Sequence, residues 1–312
     1  MYLSWQNFVE LFQHGNLNNA LTSSLDHLGI LVFSGADAEE FLQGQLTCEV
    51  RGLMNNQATT GGYLTAKGRL LCTFILWRIG DEFMLQLPLS LVETIMIRIK
   101  MYILRSKVNI RNISREIVCY GLINAEHTLV QHLCLPDTNN SLCQSKDVTV
   151  LRLSQNRSEI FGNATAMSGI KSILDENTEK IASNIWRKLD IESGWPSILP
   201  ETQDLFVPQM VNLEKLGGIS FKKGCYPGQE IVARMQYRGM LKRTMYRISA
   251  IEGKAKPGDI ILQNDVPVGQ IVNSELEGKG FIALAVLQSG TINTGLMING
   301  YDITTIKALG SS

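Results

Sequence analysis

The chain has 312 residues, of which 45% are hydrophobic and 19% are charged. This apolar content is typical of globular proteins and excludes a wholly disordered chain, and no apolar run reaches the about 18 residues of a membrane-spanning helix. Basic and acidic residues both number 29, so the net charge is zero and names no partner. At about 100–200 residues per domain, the length predicts two or three domains.

The cysteines and histidines favour a reduced, metal-free chain. The amino-terminal residues lack a basic stretch followed by an apolar core, so no secretory signal is predicted. Six cysteines lie far apart without a CxxC pair, which predicts reduced thiols in the cytoplasm. The four histidines lack the spacing of metal ligands, and we predict no zinc or iron–sulfur site built by this chain alone.

The hydrophobic pattern predicts helices mixed with antiparallel strands in the first two thirds of the chain. A short amphipathic helix is predicted from Ser4 to Gly15, and a helix with an acidic first turn in AEEFLQGQL after Gly35. From Gln57 the pattern predicts strands separated by turns at 67–69 and 80–81. Further predicted elements are a helix at 89–102, strands at 108–113 and 116–123, and a helix in SNIWRKLDIES. This mixture is typical of an α+β domain.

After Arg243 the helical period disappears. Short β runs remain, and they are separated by turn residues such as Lys256-Pro257-Gly258-Asp259 and Asn264-Asp265. We predict a small all-β region of about 70 residues, a barrel, at the carboxyl end.

The segment from Asn212 to Arg243 is the most unusual part of the sequence. Cys225 lies just before the predicted helix QEIVARMQ and close to Lys222 and Lys223. A thiol at a helix start beside two lysines is expected to have a lowered pKa and more thiolate character. The alternative is that Cys225 is a small buried hydrophobic residue, as most free cysteines are. The glycines suggest a phosphate-binding turn only weakly, because the GxxxxGK[ST] pattern is absent.

This segment resembles the signature of the YgfZ family, folate-binding relatives of the T-protein, the aminomethyltransferase of the glycine cleavage system. The matching stretch is KKGCYPGQEIVAR, at residues 222–234, with NLEKLGGISF before it and YRG and LKR after it. Four further segments match in order and spacing: GADAEEFLQGQLTCEV, the AKGR turn, DIESGWP and PVGQIVNS. Together these segments span nearly the whole chain.

The resemblance implies a T-protein-like ring of three parts around a channel that holds tetrahydrofolate. Residues 1–240 would form the folate-binding α+β region, with an amino-terminal and a ferredoxin-like part, and residues 241–312 the closing β-barrel. Glu192 matches the acidic residue that binds the pterin, although a solvated charge at a helix end is the alternative. Trp186 matches an aromatic position linked with folate, although it also suits a core position. Leu28 replaces a second family aromatic, which predicts weaker ligand contact there.

In the signature, the resemblance makes Cys225 the functional thiol. Lys223 would lower the pKa of Cys225, while Gln229, Glu230 and Arg234 would orient the loop that Gly224, Tyr226 and Gly228 help to form. The catalytic aspartate of the T-protein falls on Cys72 and Thr73, and neither carries the required negative charge. We therefore expect no aminomethyl transfer.

The function implied is support of iron–sulfur cluster assembly or repair in client enzymes, including radical-SAM tRNA-modifying proteins. One cysteine cannot hold a cluster, which usually takes four thiolates, so a shared ligand, a redox thiol or a client contact stays open. The alternative is a folate-dependent one-carbon transferase or a thiol enzyme.

Two basic tracts lie at residues 98–115, with six basic residues and no acid, and 222–247, with seven and only Glu230. They suit the polyglutamate tail of folate, an acidic protein partner, tRNA, or merely a solvated face. Direct tRNA binding ranks below the other two partners because no RNA-binding motif is present.

Overall fold

The structure, a computed structural model, describes residues 8–9, 12, 19–238, 241–290 and 295–309. The predicted helix from Ser4 to Gly15 lies largely outside these residues, and only Phe8, Val9 and Phe12 of it are described. The described chain forms three β-sheets. All strands of the first sheet lie in the sequence between the first and second strands of the second sheet.

The first sheet has five antiparallel strands, in the spatial order Ala58–Leu64, Leu70–Ile79, Glu82–Pro88, Leu28–Ser34 and Asn109–Asn112. The second sheet has six strands, in the order Glu179–Lys180, Leu21–Ser24, Ile117–Ile123, Arg157–Asn163, Val148–Ser154 and Ser141–Ser145. Its first two strands pair in parallel, and the other pairs are antiparallel. The helices are Ala38–Gln43, Val92–Lys100, Glu126–Leu129, Ala164–Asn177, Ser183–Glu192 and Gln229–Arg238. Short 3-10 turns lie at Leu89–Leu91, Pro200–Thr202 and Pro208–Val211.

The first two sheets pack face to face, because their strands carry apolar residues on both faces. Ile30, Val32 and Trp77 of the first sheet form one buried cluster with Leu151 and Phe161 of the second. Successive side chains of a strand point to opposite faces, so the residues between them face outward from this interface.

Helices cover the two outer faces. Leu31 and Phe33 alternate with the interface residues and pack with helices Ala38–Gln43 and Val92–Lys100. Ile160 of the second sheet packs with helix Ala164–Asn177. The result is a helix–sheet–sheet–helix stack.

The third sheet curls into a partly closed barrel. Its strands are, in spatial order, Tyr301–Asp302, Leu296–Ile298, Ile260–Gln263, Val266–Glu277, Gly280–Gln288, Arg243–Ala250 and Thr305–Ala308. The two edge strands are separated by only Ile303 and Thr304, whose amide groups bond Leu296 and Ser249 on opposite halves of the sheet. Two adjacent residues reach both halves only if the sheet curves round.

The predicted α+β class with a carboxyl-terminal barrel is therefore confirmed. The predicted helix at 89–102 is a 3-10 turn followed by helix Val92–Lys100. No predicted element corresponds to the helix Ala164–Asn177. Within the described ranges, none of the helices has the length and apolar character needed to cross a bilayer.

The prediction that all six cysteines are reduced is wrong for one pair. Cys134 and Cys143 form a disulfide, with their Cα atoms 5.8 Å apart. The loop between them turns back to begin strand Ser141–Ser145 and brings the two residues together although they are nine apart in the sequence. A search for closely spaced cysteine pairs does not detect such a loop.

The signature segment is held against the AKGR turn by two glycines. Gly228 has a φ of +79°, and a Cβ atom there would lie 2.6 Å from both the Gly68 Cα and the Thr65 carbonyl oxygen. Gly68 has a φ of +71° and packs in turn under Ile231. Both positions need glycine, for backbone conformation and for the close approach.

We expect Gly228→Ala to destabilise the protein by about 3 kcal/mol, because it combines left-handed strain with a backbone clash. The matched control is Gly217→Ala, where φ is +74° but no atom lies within 4 Å, and this change should cost only about 1 kcal/mol. Denaturant unfolding of both variants measures the difference. Equal losses would show that the two turns do not pack tightly.

Candidate functional site

A cavity of about 920 Å³ lies where the three sheets meet. The first sheet lines it with Thr73 and Gln86, the second with Arg157 and Glu159, and the third with Asn273. Ligand sites typically measure about 300–1,000 Å³, so the cavity has room for an organic cofactor.

The helix Ser183–Glu192 forms one wall of this cavity. Its residues Trp186, Asp190 and Glu192 line the space, and Leu189 packs into an adjacent buried cluster. Trp186 and Asp190 are four residues apart and share one helical face, whereas Glu192 lines the cavity from the last residue of the helix.

Trp186 is a buried wall residue with only 1% of its surface exposed. The guanidinium carbon of Arg157 lies 4.0 Å from the centre of its ring, and a Cβ atom at Gly121 would lie 2.4 Å from the same indole. Arg157 therefore covers one face of the indole and is supported by a cation–π contact with it.

A buried polar network joins the second sheet to this helix. Arg157 Nη2 donates to Asp190 Oδ1 at 2.7 Å, and the two side chains are 6% and 16% exposed. Gln86 Nε2 of the first sheet donates to Glu159 Oε2 at 2.7 Å. Burial raises the pKa of Asp190, opposed by Arg157, and raises the pKa of Glu159 to about 7.

Glu192 lines the cavity and pairs with Arg247 of the third sheet. Its side chain is 9% exposed, so it is not the solvated charge of the alternative interpretation. Leu28 also lines the cavity and packs in the same cluster as Trp186. The structure thus brings together all three residues that the resemblance linked with folate.

The cavity also contains buried hydrogen-bond acceptors without partners. His27 Nδ1 and Asn273 Oδ1 are buried and unpaired. Burial, followed by the charge of Arg187, lowers the pKa of His27 to about 4, so this imidazole is neutral at physiological pH. Arg187 is itself paired with Glu275. Since unpaired buried acceptors are costly, they favour a ligand that brings N–H or O–H donors.

Thr73 and Cys72 lie on strand Leu70–Ile79, and only Thr73 lines the cavity. The Thr73 hydroxyl donates to the Pro196 carbonyl at 2.6 Å and accepts from the Ile198 amide at 3.3 Å. Cys72 is fully buried, and burial raises its pKa to about 12. Neither residue supplies a carboxylate, as expected.

Lys223 anchors the signature loop. Its ammonium group donates to the carbonyls of Leu46 and Cys48 at 2.8 and 2.6 Å, and its side chain is buried. Burial lowers the pKa of Lys223 to about 8. The nearby charges that act on Lys223 belong to Cys48, Glu49 and Arg51, so the expectation that Lys223 activates Cys225 gains no support.

Cys225 is exposed, whereas the other free cysteines of the described chain are buried or half-buried. Tyr226 beside it is buried, and burial raises its pKa to about 12. Gly224, Glu230 and Arg234 are exposed and Gln229 is half-buried. None of these residues lines the cavity, so thiol and cavity are separate features.

No group of three or more potential metal ligands occurs among the described side chains.

Sequence reasoning missed Gln86, His27, Arg157 and Glu159. A sequence signal was present for Arg157 and Glu159, since they occupy alternate positions of the strand Arg157–Asn163 and therefore share one face with Phe161. Charged residues on an inward strand face are rare unless they are paired or functional.

We expect Glu159→Gln to stabilise the protein at neutral and higher pH. The native carboxyl, with a pKa of about 7, keeps its proton where an unfolded glutamate, at 4.5, has lost it. The buried carboxyl group therefore does not lower the free energy of unfolding below about pH 4.5. Its destabilising effect grows as the pH rises and reaches about 3 kcal/mol above pH 7.

Urea unfolding of wild type and Glu159→Gln at both ends of this range measures the effect. Exposed Glu116 provides the control Glu116→Gln, which should change stability little at either pH. A variant that is no more stable than wild type at high pH would show that Glu159 is stabilised as an anion.

The fold is similar to that of the glycine cleavage system aminomethyltransferase T from Bartonella henselae, with a TM-score of 0.72. The match covers 94% of this chain and 86% of that one at 15% identity. This likeness confirms the predicted T-protein-like fold.

Relatives are also found by sequence, although no family model matches the chain. The tRNA-modifying protein YgfZ of Aliivibrio fischeri is 34% identical over 89% of this chain and 88% of its own length. YgfZ of Cronobacter sakazakii is 32% identical over 88% and 86%, and that of Vibrio vulnificus 36% over 78% and 75%. The chain therefore belongs to the YgfZ family of tRNA-modifying proteins.

Proposed function

We propose that this protein is a folate-binding accessory factor that supports iron–sulfur cluster assembly or repair in client enzymes, radical-SAM tRNA-modifying enzymes among them. Tetrahydrofolate or a derivative would occupy the cavity, and the KGCYPGQE loop would act on the client. The relatives named tRNA-modifying support a role in this pathway. Such clients act on tRNA in the cytoplasm, which is where the proposal locates the protein.

The observation that carries the folate proposal is the cavity with Glu192 in its wall. A carboxylate that faces the adjacent N–H donors of an aminopyrimidine makes a bidentate, charge-assisted contact. The unpaired acceptors His27 Nδ1 and Asn273 Oδ1 suit further N–H groups of a reduced pterin. These residues would bind and orient the folate, while the one-carbon chemistry would belong to the cofactor.

The exposed thiol of Cys225 supports the accessory role. It lies on a loop that Lys223 and Gly228 fix from the buried side, so a partner protein can reach it without unfolding the loop. An accessible thiol on an anchored loop suits a transient ligand or redox contact with another protein.

A one-carbon transferase is the second candidate. The cavity's buried acids, Asp190 and Glu159, favour it, since perturbed carboxyl groups in a cleft mark possible catalytic sites. Thr73 opposes it, because its hydroxyl is engaged with Pro196 and Ile198 where the T-protein has its aspartate. Incubation with methylene-tetrahydrofolate and amine or thiol acceptors distinguishes the two candidates, because turnover well above a protein-free control would contradict the accessory role.

We expect Glu192→Ala to weaken binding of folinic acid, an air-stable tetrahydrofolate, by about 10–150-fold. This corresponds to a lost charge-assisted contact of about 1.5–3 kcal/mol. Isothermal calorimetry measures the affinity, and Glu116→Ala, which removes an exposed acid outside the cavity, is the control. Unchanged affinity in Glu192→Ala would show that Glu192 does not contact the ligand.

We expect Cys225→Ser to leave the fold and folinic acid binding intact but to abolish support of iron–sulfur enzymes in cells. The residue is exposed and does not line the cavity, so neither packing nor the ligand depends on it. The measurements are circular dichroism, calorimetry, and client enzyme activities in a deletion strain that carries the variant. Client activities equal to wild type would show that the signature is a structural turn.

A further inference from the structure

Glu159 is a buried carboxyl group at the cavity that the proposed function does not use. Only 2% of its surface is exposed, yet it lines the cavity. Its strand directs Arg157, Glu159 and Phe161 to the same face, where the apolar interface of the two sheets gives way to the cavity. A carboxyl group at this boundary contacts whatever fills the space.

The groups that face Glu159 leave its charge uncompensated. Arg157 on its own strand is paired with Asp190 of the helix at 2.7 Å. Gln86 from the first sheet is neutral, and the thiol of Cys119 from the neighbouring strand has a pKa well above its usual value through burial. Burial raises the pKa of Glu159 to about 7, and the charge of Asp190 adds to this effect, while the Gln86 hydrogen bond and the charge of Arg157 oppose it.

The hydrogen bonds of Glu159 leave one donor unused. Oε2 accepts from Gln86 Nε2, and within the described chain this is the single hydrogen bond of the side chain. A carboxylic acid has one O–H donor, which therefore remains on the other oxygen. An acceptor on a bound ligand would complete the group's hydrogen bonding.

We propose that Glu159 is a ligand-contacting residue that recognises the bound folate as a neutral carboxylic acid, donating a hydrogen bond to a carbonyl oxygen or ring nitrogen. The inference rests on the proposed folate function and adds to it a contact of opposite polarity to Glu192. Glu192 accepts hydrogen bonds from the ligand, and Glu159 donates one.

Ligand binding would be coupled to the protonation of Glu159. A ligand that fills the cavity excludes water and further disfavours the charged form of Glu159, so binding above neutral pH takes up a proton. Affinity therefore falls as pH rises through the carboxyl group's titration, by at most tenfold per pH unit. His27, with a pKa of about 4, titrates below this range.

The test is calorimetric titration with folinic acid at about pH 6 and about pH 8.5, in buffers of different protonation enthalpy. We expect wild type to bind about tenfold more weakly at the higher pH and to take up protons there. The Glu159→Gln variant has a neutral side chain that keeps an N–H donor. It should bind folinic acid with nearly the same affinity at both pH values. The control Glu116→Gln should behave as wild type.

Two outcomes would overturn the proposal: a wild-type affinity that is flat or rises with pH, or a Glu159→Gln profile equal to that of wild type. The proton uptake of wild type decides the question even if the variant fails to fold. Absence of binding at both pH values would instead contradict the folate function itself, and this inference with it.

Discussion

The buried ion pair between Arg157 and Asp190 is the interaction on which the cavity depends. It joins the second sheet to the helix Ser183–Glu192, and it lies against the Trp186 ring, which covers one side of the guanidinium group. Removing one partner of such a pair typically costs about 3–5 kcal/mol, because the remaining charge stays buried. The pair thus fixes the helix, and with it the positions of Trp186 and Glu192.

Burial and this pair together determine the electrostatics of the cavity. Arg157 and Asp190 neutralise each other, and burial favours the neutral forms of Glu159 and His27. It raises the pKa of Glu159 to about 7 and lowers the pKa of His27 to about 4. The cavity wall is therefore polar but nearly uncharged at this end, whereas Glu192 meets Arg247 at the third sheet. Such a wall suits a ligand with both donors and acceptors.

The cavity and the thiol loop are distinct, but one strand serves both. The turn before strand Leu70–Ile79 holds Gly68 against Gly228 of the signature segment. Three residues into the strand, Thr73 binds the Pro196 carbonyl just beyond the helix that carries Glu192. A shift of this strand would move the base of the loop and the wall of the cavity together.

The strands, most helices and the carboxyl-terminal barrel could be predicted from the sequence, because they depend on local hydrophobic period and turn residues. The network of Arg157, Glu159 and Gln86 could not, since Gln86 comes from a different sheet and its partner depends on how the two sheets face each other. The Cys134–Cys143 disulfide could not be predicted either, because it depends on the path of a loop and not on a local sequence pattern.

Lys223 illustrates the limit of reasoning from spacing. It lies two positions before Cys225 in the sequence, and this proximity suggested that its charge acts on the thiol. In the fold, its ammonium group instead satisfies the Leu46 and Cys48 carbonyls, while Cys225 faces outward. A buried lysine that bonds two carbonyls orders a loop as a capping group orders a helix end. Its place in the signature therefore follows from the geometry that presents the thiol, independently of any effect on thiol acidity.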